Sequence, residues 1–462
     1  MINDIFTTSL TGDEITPDVV AKFIKRHVQD ALPRLQMLYD YYCGKQHIVD
    51  RIKEQGLANN ILIINHAAYI ADFTAGYLLG EPVTYTNENS DIEPLTDVLK
   101  SADAATQDAD VALDDSIFGT AYELIYLAAD DENTVKLARL SPLNAFVVYD
   151  DTVEQKPVFG VHYYPVYDTA GQQTGYKGII ATAAYMQDIE LNTGYGIKST
   201  GEQIPHYFGL VPIDEIYNNG QRFGDFEKVI SLIDAYNLLQ SDRVNDKEQF
   251  VNALLVIKGQ ILGDTQEEKH EALDGLKANK VMELAPDGEA AFLTRQFDEG
   301  SVEVLKTSIV NDIHKISCVP DMSDQNFAGN TSGVAMKYKL LALEQLAKVK
   351  QRYFTEGLRY RLQCIANILT VKGAAAFDLD GINIMFKRSL PANELETAQL
   401  ISQLQGIVPA NLLLSQLSFV TDVDKALETL EEEKTAALER QTQVQSAMIK
   451  REANTPLRKS NV

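Results

Sequence analysis

Residues 319–369, VPDMSDQNFAGNTSGVAMKYKLLALEQLAKVKQRYFTEGLRYRLQCIANIL, constrain the architecture more than any other stretch of this chain. A polar segment with Pro320 at one end and Gly329 and Gly333 at the other opens directly into helix-forming sequence. From Val334 the pattern predicts one helix of roughly 35 residues, about 50 Å long at 1.5 Å per residue. Helices of globular proteins usually run three or four turns. A polar loop carried on so long a lever points to a mechanical part more than to a catalytic pocket.

The helix is also electrically unlike the rest of the chain. It holds Lys337, Lys339, Lys348, Lys350, Arg352, Arg359 and Arg361 against Glu344 and Glu356 only, whereas the whole chain has a formal net charge of −25. Lys348, Arg352 and Arg359 stand at i, i+4 and i+11, close to one helical face. Two readings stay open: a solvated face packed against acidic neighbours, or a face directed at polyanions or an acidic neighbouring subunit. The overall charge should repel nucleic acid, except where basic groups are concentrated.

A length of 462 residues suggests two to four domains or subdomains. No run of eighteen apolar residues is present, so no transmembrane helix is expected. The N-terminal MINDIFTTSLTGDEI lacks the basic and apolar regions of a secretory signal. Cys43, Cys318 and Cys364 are widely spaced, which argues against a disulfide framework and for synthesis in a reducing cytoplasm.

Helical sequence is expected over 16–50, with Thr16 as N-cap, Pro17 at the first position and Gly44 as a stop. It is expected again over 59–79, where an apolar run leads into helical spacing, and over 95–118 as one helix. Residues 120–208 alternate apolar and polar positions between turn-formers and read as one antiparallel sheet. A helix over 225–252 has a polar second half. A small α/β module follows, with strands at 254–258, 280–284 and 290–295 and a helix at 266–278. A helix over 301–317 ends at Pro320. Beyond the long helix come a strand at 381–386 and helices at 393–404, 410–417 and 422–451.

No motif carries catalysis. Gly329-Asn330-Thr331-Ser332-Gly333 lacks the Gly-Lys-Ser/Thr of a phosphate-binding loop, and Thr331 or Ser332 fits a helix cap better. Cys43/His47 and His314/Cys318 have no second pair at zinc spacing. Asp130-Asp131-Glu132 and Asp150-Asp151 offer carboxylates for magnesium, yet they lie between strands, where acidic turn residues are ordinary. No cofactor and no metal site are expected.

The order of elements and several strings resemble the portal proteins of long-tailed, siphophage-type bacteriophages. The strings are YDYYCGKQHI (39–48), NNILIINHAAYIADFTAGYLLGEPVTY (59–85), FGDFEKVISLIDAYNLLQSD (223–242), NALLVIKG (252–259) and NFAGNTSGVAMKYKLLALEQLAKVK (326–350), with the acidic C-terminal helices. The resemblance implies an α+β, predominantly helical portal fold with wing, stem, clip and crown, a long kinked wing helix and a tunnel loop. Carried onto this chain, the wing is 1–224 with 334–391, and the stem helices are 225–253 and 297–318. The clip is 254–296, the tunnel loop 319–333 and the crown 392–462, closed by a basic tail.

The implied function is a ring, normally of twelve subunits, at one capsid vertex. Terminase packages double-stranded DNA through its channel, and the DNA later leaves into the tail. The implied partners are other copies of the chain, terminase, a head–tail adaptor, and the major capsid and scaffolding proteins, with no membrane. The location would be the virion, after synthesis in the host bacterial cytoplasm.

In this resemblance Asp321, Asp324, Gln325, Asn326, Phe327, Asn330 and Thr331 are the loop residues nearest the DNA. Their amides and hydroxyls exchange hydrogen bonds with a moving backbone, where fixed arginines would bind phosphates tightly and brake it. Lys306, His314 and Lys315 are candidate positive rings on the second stem helix. They are equally candidates to pair with Asp242, Asp246 and Glu248 of the next subunit. Lys348, Arg352 and Arg359 are candidate inter-subunit residues. A magnesium-dependent nucleic-acid hydrolase and a non-conducting head–tail adaptor are the alternatives.

Overall fold

The computed structural model describes residues 5–53, 58–129, 134–251, 254–258, 265–279, 289–293, 299–323, 338–374, 376–388 and 394–414, and single positions from 417 to 435. The chain divides into two compact units, one of residues 1–322 and 340–389, the other of 323–339 and 390–462.

The first unit begins with α1 (Pro17–Arg26), a π turn (His27–Ala31) and α2 (Leu32–Tyr42). Thr16 precedes α1 in extended conformation with Pro17 at the first helical position, as the sequence suggests. The π turn ends two residues before Pro33, whose missing N–H interrupts the regular ladder. Gly44, at φ +80°, follows α2.

The apolar run after Asn59 is not helical. Helix α3 spans only His66–Leu79, with the Asn65 side chain capping it by accepting from the Ala68 N–H at 3.1 Å. The single helix expected over 95–118 is two, α4 (Glu93–Ser101) and α5 (Ala104–Phe118). Asp103 separates them in the left-handed region at φ +53°. An aspartate tolerates that conformation better than most residues.

The strand region forms two sheets rather than one. β1 (Phe6–Thr8), β5 (Ala145–Asp150), β6 (Pro157–Tyr167), β7 (Gln173–Thr182), β8 (Tyr185–Asn192) and β10 (Ile204–Pro205) lie in that order, and β9 (Ile197–Thr200) also pairs with β8. The β1–β5 pair is parallel and the remaining pairs are antiparallel. The second sheet has the order β11 (Ile213–Tyr217), β3 (Thr120–Leu127), β4 (Val135–Leu140).

Helix α6 (Ile230–Val251) follows, then the small module. There β12 (Leu254–Lys258) pairs antiparallel with β13 (Glu289–Leu293), and α7 (Gln266–Asn279) lies between them in sequence. The strand expected over 280–284 lies outside the described residues. Helix α8 spans Glu299–Ser317.

The long helix α9 is unbroken from Leu341 to Val371, 31 residues. The upstream start expected at Val334 lies outside the described residues, but Tyr338 and Lys339 are helical and Leu340 is a turn, so the single helix expected from Val334 is interrupted at Leu340. Its buried stripe includes Leu343, Ala347, Phe354, Leu358, Leu362 and Ile365, of which the last four pack with α3, α4, α5, β3 and β11 in one core cluster. Complete burial of a side chain such as Phe354 is worth about 1.5–3 kcal/mol. Strand β14 (Asn383–Met385) then pairs with β2 (Thr84–Thr86).

The second unit contains α10 (Glu394–Leu404) and α11 (Ala410–Leu414). Most of the helix and basic tail expected after residue 422 lies outside the described residues.

Candidate functional site

Of the loop residues expected to meet DNA, Asp324, Gln325, Asn326, Phe327, Asn330 and Thr331 lie outside the described residues. Asp321 and the chain leading to it are described, and they form a compact root. Cys318 ends α8 in the left-handed region at φ +62° and turns the chain. Val319 is then fully buried. Its carbonyl accepts from His314 Nδ1 at 2.9 Å, which requires the proton on that nitrogen.

Tyr69 on α3 holds the next two peptides. Its hydroxyl donates to the Pro320 carbonyl at 2.8 Å and accepts from the Met322 N–H at 3.2 Å. The Tyr69 and His314 rings meet edge to face, with centroids 5.9 Å apart. His66 packs against His314 at 5.8 Å and against Tyr236 at 5.0 Å, also edge to face. Burial holds His66 below the usual histidine range, helped by His314 and opposed by Asp321. His66 is therefore a neutral ring here.

The root is fixed from behind by a polar ladder. Residues 60, 62 and 64 offer their N–H groups to the α6 face. Asn60 donates to Asn245 Oδ1 at 2.6 Å, Leu62 to Ser241 Oγ at 2.9 Å and Ile64 to Asn237 Oδ1 at 2.9 Å. The three acceptors stand four residues apart, so they share one face. All three are buried. Asn237 also donates to Gln46, whose own amide donates to Asn65, the cap of α3. Hydrogen bonds thus run from α6 through the strap of residues 59–65 to the helix that carries His66 and Tyr69.

On the far side of the loop, α9 is anchored by charge. Lys350 is 1% exposed and donates to Ser116 Oγ at 2.7 Å and to Asp225 Oδ2 at 2.6 Å. Arg361, also 1% exposed, clamps Glu123 through Nε at 2.6 Å and Nη2 at 3.0 Å, and lies 2.6 Å from Asp108. Burial pushes both carboxyls up while Arg361 pulls them down, and burial prevails. One guanidinium thus faces two acids in a dry site, which keeps a proton there to higher pH than on free carboxylates. Asp115, beside the Lys350–Asp225 pair, is fully buried, and burial pushes its carboxyl well above the usual range.

Closeness of α9 to the second sheet depends on Gly357. A Cβ there would sit 2.5 Å from Ile216 Cγ1 and 3.1 Å from an Asp214 carboxylate oxygen.

The charged residues singled out in the sequence fall into different surroundings. Lys350 and Arg361 belong to the buried stripe, so two of the five positive charges on α9 do not reach its surface. Lys348, Arg352 and Arg359 stand on the exposed face. Lys348 lies 3.7 Å from Glu344, and Arg359 donates to the Leu379 and Ile382 carbonyls at 3.3 Å.

On α8, Lys306 pairs with Glu303 at 2.6 Å, which also meets Arg243 of α6 at 3.2 Å. Lys315 is exposed, whereas His314 turns inward to the root. Two of the acids considered as partners from a neighbouring copy have contacts within this chain. Asp242 is held by Arg51 at 2.6 Å and Lys53 at 3.1 Å, and Glu248 accepts from Asn60.

Asp150 accepts from the Thr152 N–H at 3.1 Å and from its hydroxyl at 2.6 Å, an ordinary acidic turn. Asp130, Asp131 and Glu132 lie outside the described residues. Among the described residues no group of three or more His, Cys, Asp or Glu could hold a metal ion, and no helix is long and apolar enough to cross a membrane.

Residues 21–440 match the family described as phage portal protein, SPP1 Gp6-like. The chain is 23% identical over 440 residues to a portal protein of Bacillus phage SPP1, covering 91% of this chain and 84% of that relative. It is 25% identical over 449 residues to a portal protein of Clostridium phage phiCD119, covering 88% of this chain and 94% of the relative. A chain from the neck of an empty GTA particle, computed with C6 symmetry, superposes with a TM-score of 0.44 at 13% identity, covering 80% of this chain and 90% of that one. For the neck of the native GTA particle with C12 symmetry the TM-score is 0.44 and the identity 13%, covering 76% and 89%.

Proposed function

From the premise that this chain belongs to the SPP1 Gp6-like phage portal protein family, we propose that it closes into a ring of twelve copies at one capsid vertex. Double-stranded DNA enters through the central channel under terminase and leaves through it toward the tail. The family match over residues 21–440 carries this reading. The chain acts as a structural conduit and docking platform, with no chemistry of its own.

In this reading residues 1–224 and 334–391 build the wing, 225–253 and 297–318 the stem, 254–296 the clip and 392–462 the crown. The clip contacts terminase during packaging and the head–tail adaptor afterwards. The crown faces the capsid interior, and the ring joins major capsid and scaffolding proteins during head assembly. Residues 390–462 fall in the second compact unit together with 323–339, and the division at 389/390 supports the crown boundary. The paired β12 and β13 support a clip with its own small sheet.

Residues 319–333 line the narrowest part of the channel. Asp321, Asp324, Gln325, Asn326, Phe327, Asn330 and Thr331 meet the DNA with groups that trade hydrogen bonds instead of gripping phosphates. Lys315 is the α8 cation best placed for a positive ring, because His314 and Lys306 have contacts within the chain. A net charge of −25 per copy repels the duplex and keeps it sliding.

Closing a ring requires unlike patches to meet between neighbours. The exposed Lys348, Arg352 and Arg359 supply one patch and the acidic remainder of the surface the other. Negative-stain images of the purified chain test the class: rings with a central hole are expected, and monomers would overturn it. Mass photometry tests the patches, because screened ion pairs should shed copies at high salt. Rings unchanged at molar salt would refute the electrostatic contact.

A further inference from the structure

We infer that Tyr69 is the positioning residue for the channel loop: its hydroxyl sets the direction in which the chain leaves α8. This rests on the reading of residues 319–333 as the loop that meets DNA. One phenol oxygen fixes two backbone groups two residues apart, the Pro320 carbonyl at 2.8 Å and the Met322 N–H at 3.2 Å. Both groups belong to the first four residues of that loop, so their hold sets the direction in which the chain leaves α8.

The root needs such a hold. Cys318 sits at φ +62°, a conformation that L side chains other than Asn and Asp seldom adopt and that persists only when neighbouring contacts enforce it. Val319 is pinned through His314 Nδ1, and beyond it Tyr69 grips the root backbone on both sides of Asp321. The phenol is suited to the task because it donates and accepts through a single atom. Its ring stacks on Phe73 at 5.9 Å and meets His314 edge to face. Removing the hydroxyl therefore leaves the packing intact. Helix α3 is in turn tied to α6 by the strap, so a movement of α6 would reach the root through this oxygen as well as through α8.

The test is Tyr69→Phe in the full-length chain. Ring formation by mass photometry and the thermal midpoint should stay at wild-type values. Hydrogen exchange at the Met322 amide should become about five- to tenfold faster, the factor set by one lost hydrogen bond. Capsids assembled with the variant should retain less packaged DNA. Unchanged exchange at Met322 would overturn the inference, whatever the DNA did.

A second variant, Gln325→Ser with Asn326→Ser and Phe327→Ser, separates the two claims. If exchange quickens and DNA retention holds in Tyr69→Phe, but the triple variant loses DNA, the loop reading stands and Tyr69 does not set its position. If neither variant alters DNA retention, the loop reading itself fails.

Discussion

The chain leaving α8 is held by uncharged groups, whereas α9 is held by buried ions. On the first side Tyr69, His314 and the Asn237–Ser241–Asn245 ladder offer hydroxyls, imidazoles and amides to backbone peptides. On the second side Lys350 and Arg361 are sunk among Asp225, Glu123 and Asp108. A neutral hydrogen bond contributes about 1 kcal/mol net and can be lost singly. A buried ion cannot, because its partner would be left charged in a dry site at a cost of several kcal/mol. The two sides therefore differ in how they fail. The α9 side should stay fixed or unfold as a whole, whereas the α8 side can yield one bond at a time.

The largest effect should come from breaking the charged side. Arg361→Met strands Glu123 and Asp108 and should cost about 3–5 kcal/mol in urea unfolding. If the loss is under about 1 kcal/mol, anchoring of α9 by charge is refuted. Adding Glu123→Leu and Asp108→Leu should recover most of the loss.

Acid should attack the uncharged chemistry first. His27, packed between Phe6, Phe146 and Tyr163, is pushed by burial from 6.5 down to about 4. A lowered histidine supports the fold fully above its unfolded value and loses that support as pH falls from 6.5 through 4. That amounts to about 3 kcal/mol at about 1.36 kcal/mol per pH unit. The raised carboxyls of Glu123 and Asp108 carry the opposite sign, so their support grows as pH falls. Urea midpoints should drop between about pH 7 and about pH 4.5 for the wild type, and drop less for His27→Gln. Equal slopes in the two proteins would assign the acid sensitivity elsewhere.

A smaller effect separates closeness from charge on the α9 side. Gly357→Ala adds a methyl against Ile216 and should cost about 1–3 kcal/mol without altering either ion pair. The measurement is the unfolding free energy, and a change below about 0.5 kcal/mol would show that the helix can shift outward freely. On the uncharged side, Ser241→Ala orphans the Leu62 N–H and should cost about 1–2 kcal/mol. Faster amide exchange should be confined to the strap and the start of α3. Exchange spreading into α9 would show that the two sides are not independent.

Much of this fold is legible in the sequence, and the departures share a cause. The apolar stripe of α9 is plain, and its phase already places Lys350 and Arg361 between Ala347, Phe354, Leu358 and Ile365. Counting charge without following the phase hides their burial. The break at Asp103 has no Gly or Pro to announce it. The strap misleads because Ile61, Leu62, Ile63 and Ile64 resemble helix sequence, yet Asn65, a good cap, marks the true start of α3. β1 is three residues long and pairs with a strand far along the chain, Phe6 lying opposite Val148, so nothing local signals it. Likewise no spacing rule links Tyr69 to Pro320; only the folded chain brings them together.

The strap also behaves as a vernier. Each step along α6 advances four residues, about 6.0 Å, while each step along an extended chain advances two, about 6.6 Å. Three rungs accumulate a mismatch of about 1.2 Å, more than the spread of about 0.5 Å over which such bonds form well. Longer Asn side chains on the outer rungs and the short Ser241 in the middle absorb that difference. A fourth rung would fall beyond their reach, and the α6 position where it would stand is Ile233, an apolar residue in the core. There the chain has already turned at Asn65 into α3. The distance between the polar face of α6 and the helix that holds the loop is therefore fixed by two incommensurate repeats, and one inserted residue would turn every rung beyond it to the wrong side.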